Sequence, residues 1–274
     1  MNSYTLLLSK LAAFVLLLLT AGCKAPETAQ QMPTDTPTTT AELVISQATS
    51  MEGAWRLEDD AAGGKADVTA VKIVQDGYFT VTVYDQQARK FIGTYGGTFS
   101  NINGRLTGKY EFNTFDSTLV GKSVSGTSAL QNGKWRTTGL GRSGDVAETW
   151  VKIDEQRSSS PLAGTWRISG RERNGQMSTM QPGPRKTLKI LSDSRFQWIA
   201  FNSETGEFSG TGGGTYTAQN GKYTENIEFF SRDQERVGMQ LTFDYEAKDG
   251  KWHHSGKSST GNKINEIWER ISSK

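Results

Sequence analysis

Apolar and polar residues alternate with a period of two along most of this chain. Tyr78-Phe79-Thr80-Val81-Thr82-Val83-Tyr84 alternates cleanly, and Leu106 to Phe112 does the same. A period of two places alternate side chains on opposite faces of a strand. The segments are four to eight residues long and rich in Val, Thr, Tyr, Phe and Trp. Asp76-Gly77, Asn103-Gly104, Asn132-Gly133, Asn220-Gly221 and Asp249-Gly250 punctuate them. Asn-Gly and Asp-Gly accept the positive φ of two-residue hairpins, so antiparallel strands follow. No stretch beyond the first residues shows the 3.6 period of an amphipathic helix. An all-β sandwich or barrel is expected.

The pattern also repeats. Gly53-Ala54-Trp55-Arg56-Leu57 returns as Gly164-Thr165-Trp166-Arg167-Ile168. From Val71 the two halves align without a gap for about seventy residues, at the spacing that separates Phe91 from Phe208. Asn103-Gly104 matches Asn220-Gly221, Glu111-Phe112 matches Glu228-Phe229, and Gly133-Lys134-Trp135 matches Gly250-Lys251-Trp252. One residue later in register, Glu148-Thr149-Trp150 matches Glu266-Ile267-Trp268. Two domains are therefore expected, at residues 51–154 and 161–272, joined by the polar linker 155–160. Gly96-Gly97 and Gly212-Gly213-Gly214 fall inside a strand, where glycine marks a bend or a close backbone approach. That favours small closed barrels over open sandwiches.

These features resemble the lipocalin and fatty-acid-binding families, in which a first-strand Gly-x-Trp plugs one barrel end beneath a late basic side chain. The resemblance implies up-and-down β-barrels in tandem, with Trp166 under Arg270 and Trp55 under Lys152. The second repeat is more specifically similar, from Lys189 to Trp198, Glu228 to Asp233 and Trp252 to Gly256, to an uncharacterised lipocalin-like family of Bacteroidetes envelope lipoproteins. That likeness implies a fold and a compartment, and no activity.

The first fifty residues depart from the pattern. Lys10 precedes a run of about ten apolar residues, Leu11 to Thr20, too short to span a ~30 Å hydrocarbon layer. Leu19-Thr20-Ala21-Gly22-Cys23 resembles a bacterial lipobox, which implies a signal peptide over 1–22 and a diacylglycerol on the thiol of Cys23. Residues 23–50 are rich in Pro and Thr and read as a tether. The resemblance implies an address in the cell envelope, and the outer membrane, since Lys24 stands where some lipoproteins of that class carry the Asp that retains them at the inner membrane.

Composition narrows the function by exclusion. The 31 basic and 29 acidic residues give no basic excess for nucleic acid. One cysteine excludes intrachain disulfides and Cys-rich metal sites. His253 and His254, the two histidines, should point to opposite faces of one strand. No Gly-x-Ser-x-Gly elbow or phosphate loop is present. No cofactor, metal or catalytic residue is assigned. Arg185-Lys186, Arg171 and Arg173 read as solvated loop or edge charges. Glu111, Glu228, Asp116 and Asp233 recur in both halves and read as structural, and Glu148 and Glu266 as partners of backbone or of the plug cations.

What differs between the halves is more informative. If Phe79, Val81 and Val83 face inward, so do Phe196, Trp198 and Ala200. The same parity turns Leu106, Gly108, Tyr110 and Phe112 inward, with their counterparts Tyr223, Glu225, Ile227 and Phe229. It also turns in Val124, Gly126 and Ser128 with Leu241, Phe243 and Tyr245, and Trp135 and Thr137 with Trp252 and His254. The second barrel thus gains Trp198, Tyr223, Glu225, Tyr245 and His254 where the first has small or apolar residues. Polar groups converging in an apolar interior are the usual mark of a ligand site. The leading expectation is a non-enzymatic, membrane-anchored protein that binds a small apolar or amphipathic molecule in its second barrel, with Glu225 and His254 fixing orientation. Glu225 and His254 could instead pair with each other or face solvent. A second class is a glycan- or protein-interaction module with filled barrels and exposed Trp/Tyr faces, and a third is a haem-binding or catalytic barrel using His254.

Overall fold

The computed structural model describes residues 51–58, 67–141, 147–153 and 159–271. The signal peptide, Cys23, the tether and residues 155–158 of the linker lie outside these residues. The expected all-β architecture is found: two tandem antiparallel up-and-down barrels of eight strands each. Among the described residues the helical elements are two 3₁₀ turns, Ser117–Leu119 and Gln234–Arg236. Asp116 and Asp233 cap them by accepting from the backbone N–H of Thr118 and Glu235, the structural role their recurrence suggested.

Barrel 1 comprises β1 (Gly53–Leu57), β2 (Val68–Gln75), β3 (Tyr78–Asp85), β4 (Lys90–Ile102), β5 (Arg105–Asn113), β6 (Ser123–Gln131), β7 (Lys134–Thr137) and β8 (Glu148–Lys152). It closes where β1 pairs with β8, with Trp55 opposite Lys152. Barrel 2 begins with β9 (Gly164–Arg173) and a short hairpin strand β10 (Gln176–Thr179). It continues through β11 (Arg185–Leu191), β12 (Arg195–Asn202), β13 (Phe208–Gln219), β14 (Lys222–Phe230), β15 (Gln240–Lys248), β16 (Lys251–Lys257) and β17 (Lys263–Arg270). It closes because β9 pairs with both β11 and β17. Each expected hairpin dipeptide has both residues at positive φ, and Asn174-Gly175 adds another.

The glycine pairs bend the sheets, but they also do something the alternation did not foresee. The β4–β5 register slips by one residue between Gly96 and Gly97, and β13–β14 slips between Gly213 and Gly214. A Cβ on Gly97 would lie 2.0 Å from the Lys109 carbonyl oxygen, and one on Gly214 2.1 Å from that of Asn226. A one-residue bulge exchanges the two faces of a strand beyond it. Tyr110 therefore joins the core of barrel 1, whereas Phe112 and its counterpart Phe229 leave the barrels. Their expected inward placement is corrected: both pack between the two barrels.

That contact makes the barrels one compact unit. Val71, Ile73 and Tyr84 of barrel 1 pack with Ile190 and Phe229, while Phe112 packs with Leu188, Ile199 and Phe201. The pairs Tyr84–Phe229 and Phe112–Phe201, at 5.0 and 4.9 Å between ring centroids, are equivalents under the repeat, so the interface has a local two-fold character. At its centre the buried Gln197 amide donates to Thr94 and Thr211 and accepts from Thr80 and Thr82. Every polar arm of that side chain is matched, which removes the cost of burying it. Lys186 pairs with Glu111 across the same boundary, and Glu228 accepts from Tyr84 and Arg195. Lys186 is thus an interface residue, not the solvated charge expected.

Candidate functional site

Trp55 and Trp166 are buried in the first strand of their barrels. The Trp55 and Trp166 indoles donate to the carbonyls of Met51 and Leu162, each 2.9 Å away. Lys152 lies 5.4 Å from the Trp55 ring and Arg270 5.9 Å from the Trp166 ring. Arg270 is held there by a two-pronged bond to Asp76 of the other barrel, both contacts at 3.0 Å.

Above the plugs the barrels diverge. Barrel 2 holds a cavity of about 430 Å³ that opens to solvent, within the ~300–1,000 Å³ usual for small-molecule sites. Trp198, Glu225 and His254 border it. Tyr223 and Tyr245 do not border it. Tyr223 is buried behind His254 with the rings 5.7 Å apart, and Tyr245 is half-buried one strand away, packed on the core. Side chains of one parity do face inward, but the cavity occupies only one end of the barrel.

The space for Trp198 comes from its strand partner. Trp198 pairs with Gly212, and a Cβ there would sit 2.7 Å from the indole nitrogen. In barrel 1 the same pair is Val81 with Tyr95, so the aromatic has moved from one strand to the next. Trp198 then meets Phe230 edge-on at 5.5 Å.

The polar wall rests on a residue that the alternation hid. β11 is buried over Leu188, Lys189, Ile190 and Leu191, because its outer face meets barrel 1 and its inner face the core. Lys189 lies on the inner face, 4% exposed, and gives a 2.8 Å ion pair to Glu225. Its ammonium also approaches the rings of Tyr223, Trp252 and Trp268 at 4.8, 4.9 and 5.4 Å. The signal was available: Lys72 and Lys189 are lysines flanked by apolar residues at matched positions in both repeats.

Glu225 and His254 do not pair with each other, nor do they face solvent. His254 Nδ1 is 3.4 Å from Glu266, which also accepts from the Trp268 indole and receives Arg171 at 2.7 and 3.0 Å. Arg171, its side chain 40% exposed, borders the cavity at its solvent side. Glu266 serves Arg171 and His254, not the plug Arg270, and Glu148 meets buried Lys72 at 3.8 Å and the Trp150 indole. Burial disfavours the Glu266 anion, but the His254 bond and the Arg171 and Lys189 charges outweigh it and hold the group down to about 2. Burial, reinforced by Lys189, lowers the pKa of His254 despite its carboxylate neighbours. The ring is neutral at pH 7, with its Nδ1–H turned to the ionised Glu266. Its Nε2 is buried without a hydrogen-bond partner. Desolvation dominates in raising the pKa of Tyr223, and the adjacent Glu225 charge adds to it.

Barrel 1 keeps the lysine, the glutamate and the tryptophans but brings a leucine into its core. Leu140, 3% exposed, sits in its core, and a Cβ on Gly108 would come within 3.1 Å of it. A Cβ on Gly126 would lie 1.8 Å from the Thr138 carbonyl. The segment 138–141 can enter the barrel because Gly108 and Gly126 stand where barrel 2 has Glu225 and Phe243. The hydroxyl of Tyr110 fixes it by donating to Gly141. The expected alternative with exposed Trp/Tyr faces is not supported. Trp55, Trp135, Trp150, Trp166, Trp252 and Trp268 are buried, and the large exposed apolar residues among those described are the scattered Ile92, Ile102 and Met177. Among the described residues, no three or more His, Cys, Asp or Glu side chains converge as a metal site.

Residues 161–274 match the family model described as a domain of unknown function, DUF4488. Similar solved structures include a lipocalin-like protein from Bacteroides uniformis, 14% identical, covering 41% of this chain and all of that one, with a TM-score of 0.29. Another is an uncharacterised protein from Saccharomyces cerevisiae, 13% identical, covering 81% of this chain and 99% of that one, with a TM-score of 0.44. A search of curated proteins gave no match.

Proposed function

We propose that barrel 2 is a binding module for one small apolar or amphipathic molecule and that barrel 1 is its structural companion. The observation that carries this reading is the contrast between a cavity of about 430 Å³ in one barrel and a core filled by Leu140 in its sister. The charged groups on the cavity wall are already paired, Lys189 with Glu225 and Arg171 with Glu266, an arrangement suited to orienting a guest. Titration with the neutral dye N-phenyl-1-naphthylamine tests it. One saturable site is expected, and Ala200→Trp, which fills the cavity from its wall, should abolish it. Unchanged dye binding by a folded Ala200→Trp protein overturns the reading.

The compartment we propose is the bacterial envelope, with lipid on Cys23 anchoring the barrels to the outer membrane through the tether. The lipobox-like Leu19 to Cys23 supports it. Cys23→Ser should move the protein from the membrane to the soluble fraction. Retention in the membrane would overturn the anchoring.

A further inference from the structure

Resting on the binding role of barrel 2, the exposure of its charged groups selects what the guest carries at one end. Four charged side chains border the cavity, paired as Lys189 with Glu225 and Arg171 with Glu266. Pairing balances them but does not make them equally reachable. The side chains of Lys189, Glu225 and Glu266 are 5%, 6% and 7% exposed, whereas that of Arg171 is 40% exposed. His254 is buried and neutral. A guest therefore meets one charge within reach, and it is positive. Arg171 stands at the mouth, where a charged head keeps water beside it while an apolar tail lies against Trp198, Phe230 and Leu241.

A guanidinium presents its N–H donors along two edges, each matched to a carboxylate. Glu266 Oε1 takes the side edge of Arg171, from Nε at 3.0 Å and from Nη2 at 2.7 Å. Glu266 Oε2 is spent on the Trp268 indole at 3.1 Å and on His254 Nδ1 at 3.4 Å. The neighbouring Glu172 is engaged by Asn265 at 2.9 Å and Lys263 at 3.8 Å. The end edge of Arg171, made by Nη1 and the outer N–H of Nη2, has no partner among the described residues. Glu266 thus holds the planar group by one edge and leaves the other presented. A guest carboxylate accepts two parallel hydrogen bonds there without displacing Glu266. A phosphate head would bring up to two charges beside the Glu266 anion, with one edge to pair them. An ammonium head would meet the guanidinium itself. We infer that barrel 2 takes an apolar-tailed monocarboxylate whose head sits at the cavity mouth on the Nη1–Nη2 edge of Arg171. At ~30 Å³ for each water-sized group, the space holds roughly fourteen such groups, enough for decanoate.

The test is displacement of the neutral dye from the purified protein at pH 7 by decanoate, 1-decanol, decylammonium and decyl phosphate, all below micelle-forming concentrations. Decanoate should displace it at a concentration about 10-fold lower than decanol requires, the worth of a charge-assisted contact at a partly exposed site. Decylammonium and decyl phosphate should both require more than decanoate. In Arg171→Gln the decanol-to-decanoate ratio should fall to about one or below. Arg171→Lys keeps a cation for Glu266 if the neutral variant does not fold, and there the ratio should drop at least about 3-fold, because an ammonium has no second edge. Decanol, decylammonium or decyl phosphate displacing as well as decanoate would overturn the carboxylate head. An unchanged ratio in either folded variant would overturn its placement on Arg171. Dye binding with no displacement by any of the four overturns this inference and leaves the cavity reading standing. Absence of dye binding overturns both.

Discussion

The two barrels share strand order, hairpins, buried first-strand tryptophans and an inward lysine, yet Leu140 stands in the core of one and a cavity opens in the other. A handful of exchanges accounts for the difference. Gly108 and Gly126 admit Leu140 and its backbone to barrel 1, while Glu225 and Phe243 exclude such a segment from barrel 2, where β16 continues as strand to Lys257. Tyr95 fills from one strand in barrel 1, and Trp198 fills from its neighbour in barrel 2. The lysines report the consequence. Lys72 has Glu148 at 3.8 Å and the Trp150 ring at 3.9 Å, and burial pulls its pKa down to about 8. Lys189 gains Glu225 as a close second carboxylate on its own side of the cavity. What the repeats share, Lys, Glu and Trp together, therefore belongs to the scaffold. What only barrel 2 has, Trp198, Glu225 and His254, borders its cavity.

Acid should separate the two barrels most strongly. Glu266 has an ordinary value near 4.5 and is held to about 2 in the folded state. A carboxylate with a depressed folded pKa contributes stability above its unfolded value, and that contribution is lost as pH falls through the folded one. At about 1.4 kcal/mol per unit, its loss between pH 4.5 and 2 amounts to about 3 kcal/mol. His254 has the same sign: its pKa is depressed from 6.5, so its contribution is full above that value and declines as pH falls toward the folded one. Stability measured by denaturant titration should decline from about pH 6.5 downward. Glu266→Gln should lower stability at neutral pH and flatten the acid limb. An unchanged acid limb in Glu266→Gln would show that the barrel 2 cluster is not the acid-sensitive part of the fold.

The sequence made the strands, hairpins and tandem barrels legible because period two, Asn-Gly turns and the repeat all point the same way. It hid the bulge, since nothing in Gly96-Gly97 says which residue is the extra one, and one slip turned Phe112 and Phe229 from core to interface. The packing of the barrels on each other was hidden with it. Trp198, Glu225 and His254 stood out because their counterparts are Val81, Gly108 and Thr137. Lys189 and Glu266 did not, because a search for differences passes over what both repeats retain. Arg171 lies ahead of Val71 and Leu188, where the gapless alignment starts, so its role had no counterpart to argue from.

Leu140→Ala gives a smaller effect and tests the filled barrel directly. Leu140 makes its contacts inside the core of Trp55, Leu106, Tyr110 and Trp135. Removing three carbons there costs the lost burial plus the cavity left behind, about 2–3 kcal/mol, at the lower end for a buried leucine. The lower end applies because 138–141 is a short connection that can settle inward, whereas a strand tied on both sides cannot. The void it leaves is far smaller than the 430 Å³ of barrel 2, so dye stoichiometry should stay at one per chain. A loss under about 0.5 kcal/mol, the range of surface substitutions, would mean that Leu140 does not fill barrel 1. A second dye site with full stability loss would mean that the leucine alone keeps barrel 1 from being a binding barrel, and that the glycines beneath it only make room.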